Sequence, residues 1–89
     1  MEPKVGQYWK YRIFGMMYTI DKITDIYIDE DNDTIIVSDE VYRNDGFRCD
    51  PNCEEVLEDF IQNAIYIPAY NTPLYKLLNC IENTDEEEE

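Results

Sequence analysis

Histidine is absent from the 89 residues, and serine occurs once, at Ser38. Those shortages remove the commonest general base and leave no Ser-His or Cys-His pair, so no catalytic residue is expected and the chain reads as a non-enzyme. Basic residues are scarce as well, seven lysines and arginines against twenty-one aspartates and glutamates. A nucleic-acid site or a membrane-surface site would have to work against the field of the whole molecule, so neither partner is expected. Three cysteines, an odd number, argue against a disulfide framework. Cys49 and Cys53 can in principle pair across Asp50-Pro51-Asn52, but reduced thiols are the preferred reading. No run approaches the ~20 apolar residues that cross a bilayer, and no apolar leader follows Met1, so a cytoplasmic location is expected.

What is present is acid, unevenly placed. The net charge of −14 divides into +2 over residues 1–20, −11 over 21–60, zero over 61–84 and −5 over 85–89. The chain is nevertheless 44% hydrophobic with eight tyrosines, far too apolar for a disordered acidic polymer. One small folded domain over residues 1–84 is expected, followed by a self-repelling acidic tail over 85–89.

Residues 5–14 alternate, with Trp9, Tyr11 and Ile13 on one face and Tyr8, Lys10 and Arg12 on the other, which predicts a strand ending at a Gly15 turn. A second strand is predicted from Met16 to about Ile28, with a bulge or bend where the alternation slips between Ile20 and Ile23. Asp29-Glu30-Asp31-Asn32-Asp33 reads as a hairpin tip returning through Thr34-Ile35-Ile36-Val37. Asn44-Asp45-Gly46 predicts a further turn between Val41-Tyr42-Arg43 and Phe47-Arg48-Cys49, giving a meander of about four strands. Asp50 then resembles a helix cap, Pro51 suits the first helical position, and Cys53, Val56, Leu57, Phe60, Ile61 and Ala64 recur at helical spacing, predicting a helix over 51–64. A short strand at Ile65-Tyr66-Ile67 and a second helix opened by Thr72-Pro73, with Leu74, Leu77, Leu78 and Ile81, complete the expectation. The fold class is α+β, a bent antiparallel sheet or partly open barrel of about four to five strands with one or two C-terminal helices.

Two metal patterns are weighed. Asp29, Asp31, Asp33, Ile36 and Glu40 fall at the first, third, fifth, eighth and twelfth places of a calcium loop of the EF-hand type. Thr34 stands where that loop needs glycine, Val37 offers no side-chain oxygen, and the flanks read as strands, so a charged hairpin tip is preferred. Cys49 and Cys53 have zinc-like spacing, but only Cys80 remains as a further soft ligand and a structural site wants four, so Cys53 reads as a small core residue. No metal and no cofactor are expected. Trp9, Tyr11 and Tyr18 can stack bases, but core and cross-strand packing accounts for them better.

The acidic array is the remaining signal. Carboxylates two apart on a strand share a face ~7 Å apart, and those four apart on a helix are ~6 Å apart. Asp25, Asp29, Glu30, Asp31, Asp33, Asp39 and Glu40 on the hairpin, with Glu54, Glu55, Glu58 and Asp59 on the predicted helix, are therefore the candidate partner-binding residues. Their separations are similar to those of phosphates along a nucleic-acid strand. Tyr27, Tyr42 and Tyr66 are candidate apolar anchors beside them.

The pattern Val5-Gly6-Gln7-Tyr8-Trp9, the Gly15 turn, Met17-Tyr18-Thr19-Ile20 and the acidic hairpin resembles the opening of small SH3-like β-barrels found in many phage-encoded proteins. The similarity spans roughly residues 5–49. Charge and size also resemble the acidic phage inhibitors that act as DNA mimics, including anti-restriction and anti-CRISPR proteins. That resemblance implies a stoichiometric inhibitor whose partner is a host nucleic-acid-binding protein with a basic groove. The alternative is an adaptor module that binds protein through the Trp9-Tyr11-Tyr18 face.

Overall fold

Tyr8–Phe14 (β1) and Met17–Ile28 (β2) form an antiparallel hairpin in the computed structural model, which describes residues 2–67. Gly15 makes the turn at φ +56, a left-handed conformation that a side chain would strain. The expected slip in β2 is there: its pairing with Thr34–Arg43 (β3) shifts between Ile20 and Asp21 and again between Ile23 and Asp25. At the far end of β2, the Asp29 carboxylate accepts from the backbone N–H groups of Asp31 and Asp33, and Asn32 takes φ +65. Asp and Asn therefore build that tip by local hydrogen bonding, as their short polar side chains favour.

Residues 47–56 depart from expectation. No strand forms at Phe47-Arg48-Cys49, and the predicted helix over 51–64 is split into Cys53–Val56 (β4) and a shorter helix, Leu57–Asn63 (α1). Asp50 caps nothing: its N–H donates to Glu40 Oε1 at 3.0 Å and its carbonyl accepts from the Glu40 N–H, tying the loop to β3. Asn52 at φ +54 then turns the chain, and Cys53 to Val56 pair antiparallel with Ser38 back to Ile35. Local helix signals lose here to a ladder on the open edge of β3. Ala64–Ile67 (β5), close to the expected short strand, pairs antiparallel with β1. The result is one five-stranded antiparallel sheet in the order β4-β3-β2-β1-β5 with one short helix. The predicted second helix, the acidic tail and Cys80 lie outside the described residues.

The sheet carries apolar clusters on both faces. On one, Trp9, Ile23, Ile36, Phe60 and Ala64 are buried, with Tyr11, Ile26, Leu57 and Tyr66 packed against them. Phe60 sets its ring 5.3 Å from Trp9, edge-on, and 6.1 Å from Tyr11. Gln7 closes the edge, its Oε1 accepting from Trp9 Nε1 and from the Lys4 N–H. On the other face Tyr18, Ile20 and Ile67 are buried with Tyr8, Val41 and Tyr42 around them. Trp9 and Tyr18 thus belong to different faces and are 3% and 8% exposed, so Trp9, Tyr11 and Tyr18 do not form one open aromatic surface. No helix among the described residues is long and apolar enough to cross a membrane.

Candidate functional site

Residues paired across neighbouring strands share a face, so the register sorts the acids. Asp25 lies opposite Val37, which lies opposite Glu54, placing both carboxylates on one row spanning two strand spacings, ~10 Å. Tyr27 stands beside that row, 40% exposed, with its hydroxyl donating to the Glu54 carboxylate, and that bond holds the phenol above its ordinary pKa. The row leads to the β2–β3 tip, where carboxylate oxygens of Asp29, Asp31 and Asp33 all lie within 4.8 Å of one another and Glu30 is exposed beside them. Among the described residues no lysine or arginine pairs with Asp25 or with any acid of the tip. Asp39 falls in the next row opposite Lys22 and accepts from the Asn52 N–H. Glu58 and Asp59 are exposed in the first turn of α1.

The opposite face takes the others. Glu40 and Glu55 turn inward, Glu40 opposite Asp21 and Glu55 opposite Ile36, so consecutive acids on β3 and β4 part to different sides. Glu40 Oε1 holds Arg43 Nη1 at 3.1 Å, and Arg43 Nη2 reaches Asp45 at 2.6 Å. That bond, with the Phe47 N–H, keeps the Asp45 carboxyl below its usual range. Glu55 accepts from the Tyr11 hydroxyl at 2.6 Å, and burial together with Glu55 pushes that phenol well above its normal titration. The twelfth place of the calcium pattern is therefore spent: Glu40 lies seven residues along β3 from Asp33, ~23 Å in an extended chain, and is bonded to Arg43 and Asp50. Of the three tyrosine anchors only Tyr27 is open. Tyr66 is half-buried with its ring 5.5 Å from Trp9, and Tyr42 is half-buried 6.0 Å from Tyr18.

No family model, curated protein or solved structure matches the chain.

One acid lies outside the set expected from the sequence. Asp21 is 5% exposed, on β2 between Trp9 of β1 and Glu40 of β3. Its Oδ1 accepts from the Thr19 hydroxyl at 2.6 Å and its Oδ2 from the Ser38 hydroxyl at 3.1 Å. Desolvation outweighs those two bonds, and with Glu40 and Glu55 nearby the pKa is pushed up to about 6. The only sequence signal is parity, since Asp21 follows Thr19 and precedes Ile23 on what becomes the core face, and the adjoining slip in β2 hides it.

Asp21 opens onto a concavity of about 290 Å3 lined by Tyr11, Ser38, Glu40, Cys53, Glu54 and Glu55 among others. Cys53 is a free, half-buried thiol there, and Cys49 is free as well. Burial first, then Glu40 and Asp21, push the Cys53 thiol up to about 11. Thiolate is the nucleophile, so at pH 7.5 Cys53 should react with iodoacetamide on the order of 100-fold more slowly than a free thiol of pKa ~8.5. Mass mapping of each cysteine over time reads this directly. Rapid labelling of Cys53 at that pH would mean that neither burial nor the neighbouring carboxylates suppress its thiolate.

Proposed function

We propose that the protein is a stoichiometric, non-catalytic inhibitor that offers carboxylates in place of phosphates to the basic groove of a nucleic-acid enzyme. The observation that carries this reading is the acidic run from Glu54 and Asp25 to the Asp29-Asp31-Asp33 tip, where three carboxylates crowd within 4.8 Å and, among the described residues, no lysine or arginine pairs with them. Uncompensated like charges held by a hydrogen-bonded turn cost free energy in isolation and gain it against a surface of opposite potential. Tyr27, exposed beside Glu54, supplies the aromatic contact that charge alone lacks. Glu58 and Asp59 extend the acidic surface on α1.

The finer architecture belongs to the same reading. The strand order β4-β3-β2-β1-β5, a β2 whose register slips against β3 and a helix of about two turns between β4 and β5 support a small SH3-like barrel. Charge and size support a counter-defence role of the kind phages carry, acting in the cytoplasm of the host. The adaptor alternative is less favoured, because Trp9 and Tyr18 are buried on opposite faces.

The test pairs a pulldown from host lysate at low and high salt with a charge-altered tip. Asp29 accepts two backbone N–H groups, so Asp29→Asn, which keeps an acceptor, is combined with Asp31→Lys and Asp33→Lys. The triple variant should keep its circular dichroism and lose partner affinity by about 30-fold or more, since charge juxtaposed with like charge costs several kcal/mol. Unchanged affinity removes the tip from the interface. A partner retained at high salt and unrelated to nucleic acid overturns the mimicry.

A further inference from the structure

The concavity at Asp21 is not explained by the acidic outer row. Among its lining residues is Asp21, 5% exposed, each of whose carboxylate oxygens has one hydroxyl donor, although a carboxylate has about four acceptor positions. No lysine or arginine pairs with Asp21 among the described residues. A buried charge without a counter-charge is costly, and the nearby Glu40 and Glu55 carry the same sign, although Arg43 also lines the concavity. One Glu55 oxygen carries the Tyr11 hydroxyl and the other has no partner among the described residues. Arg43 does not fill the need, because its guanidinium is committed to Glu40 and Asp45 at the rim.

What would complete this site follows from its shape. The acceptors line the walls instead of converging. Among the described residues the acidic or thiol groups close enough to share a metal ion are Asp29, Asp31 and Asp33, not those of the pocket. Spread acceptors suit a cation with several donors in a planar fork, and guanidinium offers five where ammonium offers three on one point. Tyr11 and Ile13 provide aromatic and aliphatic wall for a hydrocarbon stem. At about 290 Å3 the space lies at the bottom of the ~300–1,000 Å3 range of small-molecule sites, enough for one long side chain.

We propose that this concavity is an anchor pocket for an arginine side chain of the partner, with the guanidinium on Asp21 and Glu55 and the stem against Tyr11 and Ile13. The inference rests on the partner being basic, as under the proposed function, but it concerns a different face from the hairpin tip. The arginine supplies a counter-charge that no lysine or arginine among the described residues gives Asp21, and the pocket recognises that residue specifically where the outer row recognises charge in general.

The test needs no partner. N-acetyl-L-arginine amide is titrated into the full chain at low salt, following the side-chain carboxyl carbons by NMR, with N-acetyl-L-lysine amide and N-acetyl-L-citrulline amide as comparisons. Saturable shifts at Asp21 and Glu55 are expected for arginine, with affinity at least ~5-fold above that for lysine, and none for the neutral citrulline. Asp21→Asn should weaken arginine binding by about 10-fold or more while the fold is retained, as for loss of a charge-assisted hydrogen bond. Shifts confined to Asp29, Asp31 and Asp33, equal response to lysine, or unaltered binding by Asp21→Asn would each overturn the pocket. Arginine binding at Asp21 with partner capture insensitive to the tip substitutions would leave the pocket standing and remove the mimicry, and the reverse pair of results would do the opposite.

Discussion

Phe60→Ala is expected to destabilise the protein by about 4 kcal/mol, within the ~3–5 kcal/mol found for truncating a buried aromatic. Phe60 is 1% exposed, is the one buried residue of α1, and contacts both Trp9 and Tyr11. Seven residues are too few for a helix to stand alone, and the N-cap of α1, Val56, provides no side-chain hydrogen bond, so its helicity depends on this docking. A domain of this size has only about 5–10 kcal/mol in all. The variant should therefore show a much lower urea midpoint and weaker near-ultraviolet dichroism from Trp9. Fast hydrogen exchange should spread from α1 into β4, because β4 is four residues long and reaches β5 through that helix. With β4 loosened, Glu54 and Glu55 lose their fixed places on the two faces, so partner binding should weaken without any acid being changed. A cost below ~1 kcal/mol would mean that α1 is not held by Phe60.

The first two hairpins are legible in the sequence because their signals are local. Alternation across Tyr8–Phe14, a glycine where φ must be positive, and an Asp-rich tip each act within a few residues. The slip in β2 shows as broken alternation and corresponds to two real shifts against β3. Residues 50–56 mislead for the complementary reason. Asp50-Pro51 and the apolar spacing from Cys53 are genuine helix signals, but the open edge of β3 offers Cys53–Val56 a full ladder of backbone hydrogen bonds, and no local pattern encodes that edge. The same blindness affects the acids. A helix would make Glu54 and Glu55 neighbours on one surface, whereas a strand sends them to opposite faces. Tyr66 has the sequence surroundings of a surface anchor, and only pairing with Trp9 places it against the core. Asp21 is one aspartate among many until the register of three strands distinguishes it.

Asp21→Asn is expected to stabilise the protein at neutral pH. The folded-state pKa of about 6 lies above the unfolded value near 3.8, so the folded state binds this proton more tightly than the unfolded chain. The favourable contribution is complete below pH ~4, declines as pH rises, and is lost above pH ~6, where ionisation sets a buried negative charge against Glu40 and Glu55, with the Tyr11 phenol, Cys53 and the Arg43 guanidinium also around the pocket. A shift of two units corresponds to ~3 kcal/mol, part of which the amide will not recover, because Thr19 and Ser38 must reorient around an NH2 group. A gain of about 2 kcal/mol at pH 7 is therefore expected, a rise in Tm on the order of 10 °C for a domain this small. The difference from the natural chain should shrink as pH falls, cross zero between about pH 4 and 5, and reverse below that to the ~1 kcal/mol that the amide does not recover. Comparing the two proteins at each pH matters, since acidification also relieves the net repulsion of a −14 chain and weakens the Arg43–Asp45 pair, and only the difference isolates Asp21. If the variant is less stable at pH 7, the hydroxyl bonds outweigh desolvation and Asp21 is a structural acid. If it is more stable and has also lost arginine binding, the natural chain retains a destabilising carboxylate for the cation it receives, a common trade of stability against function.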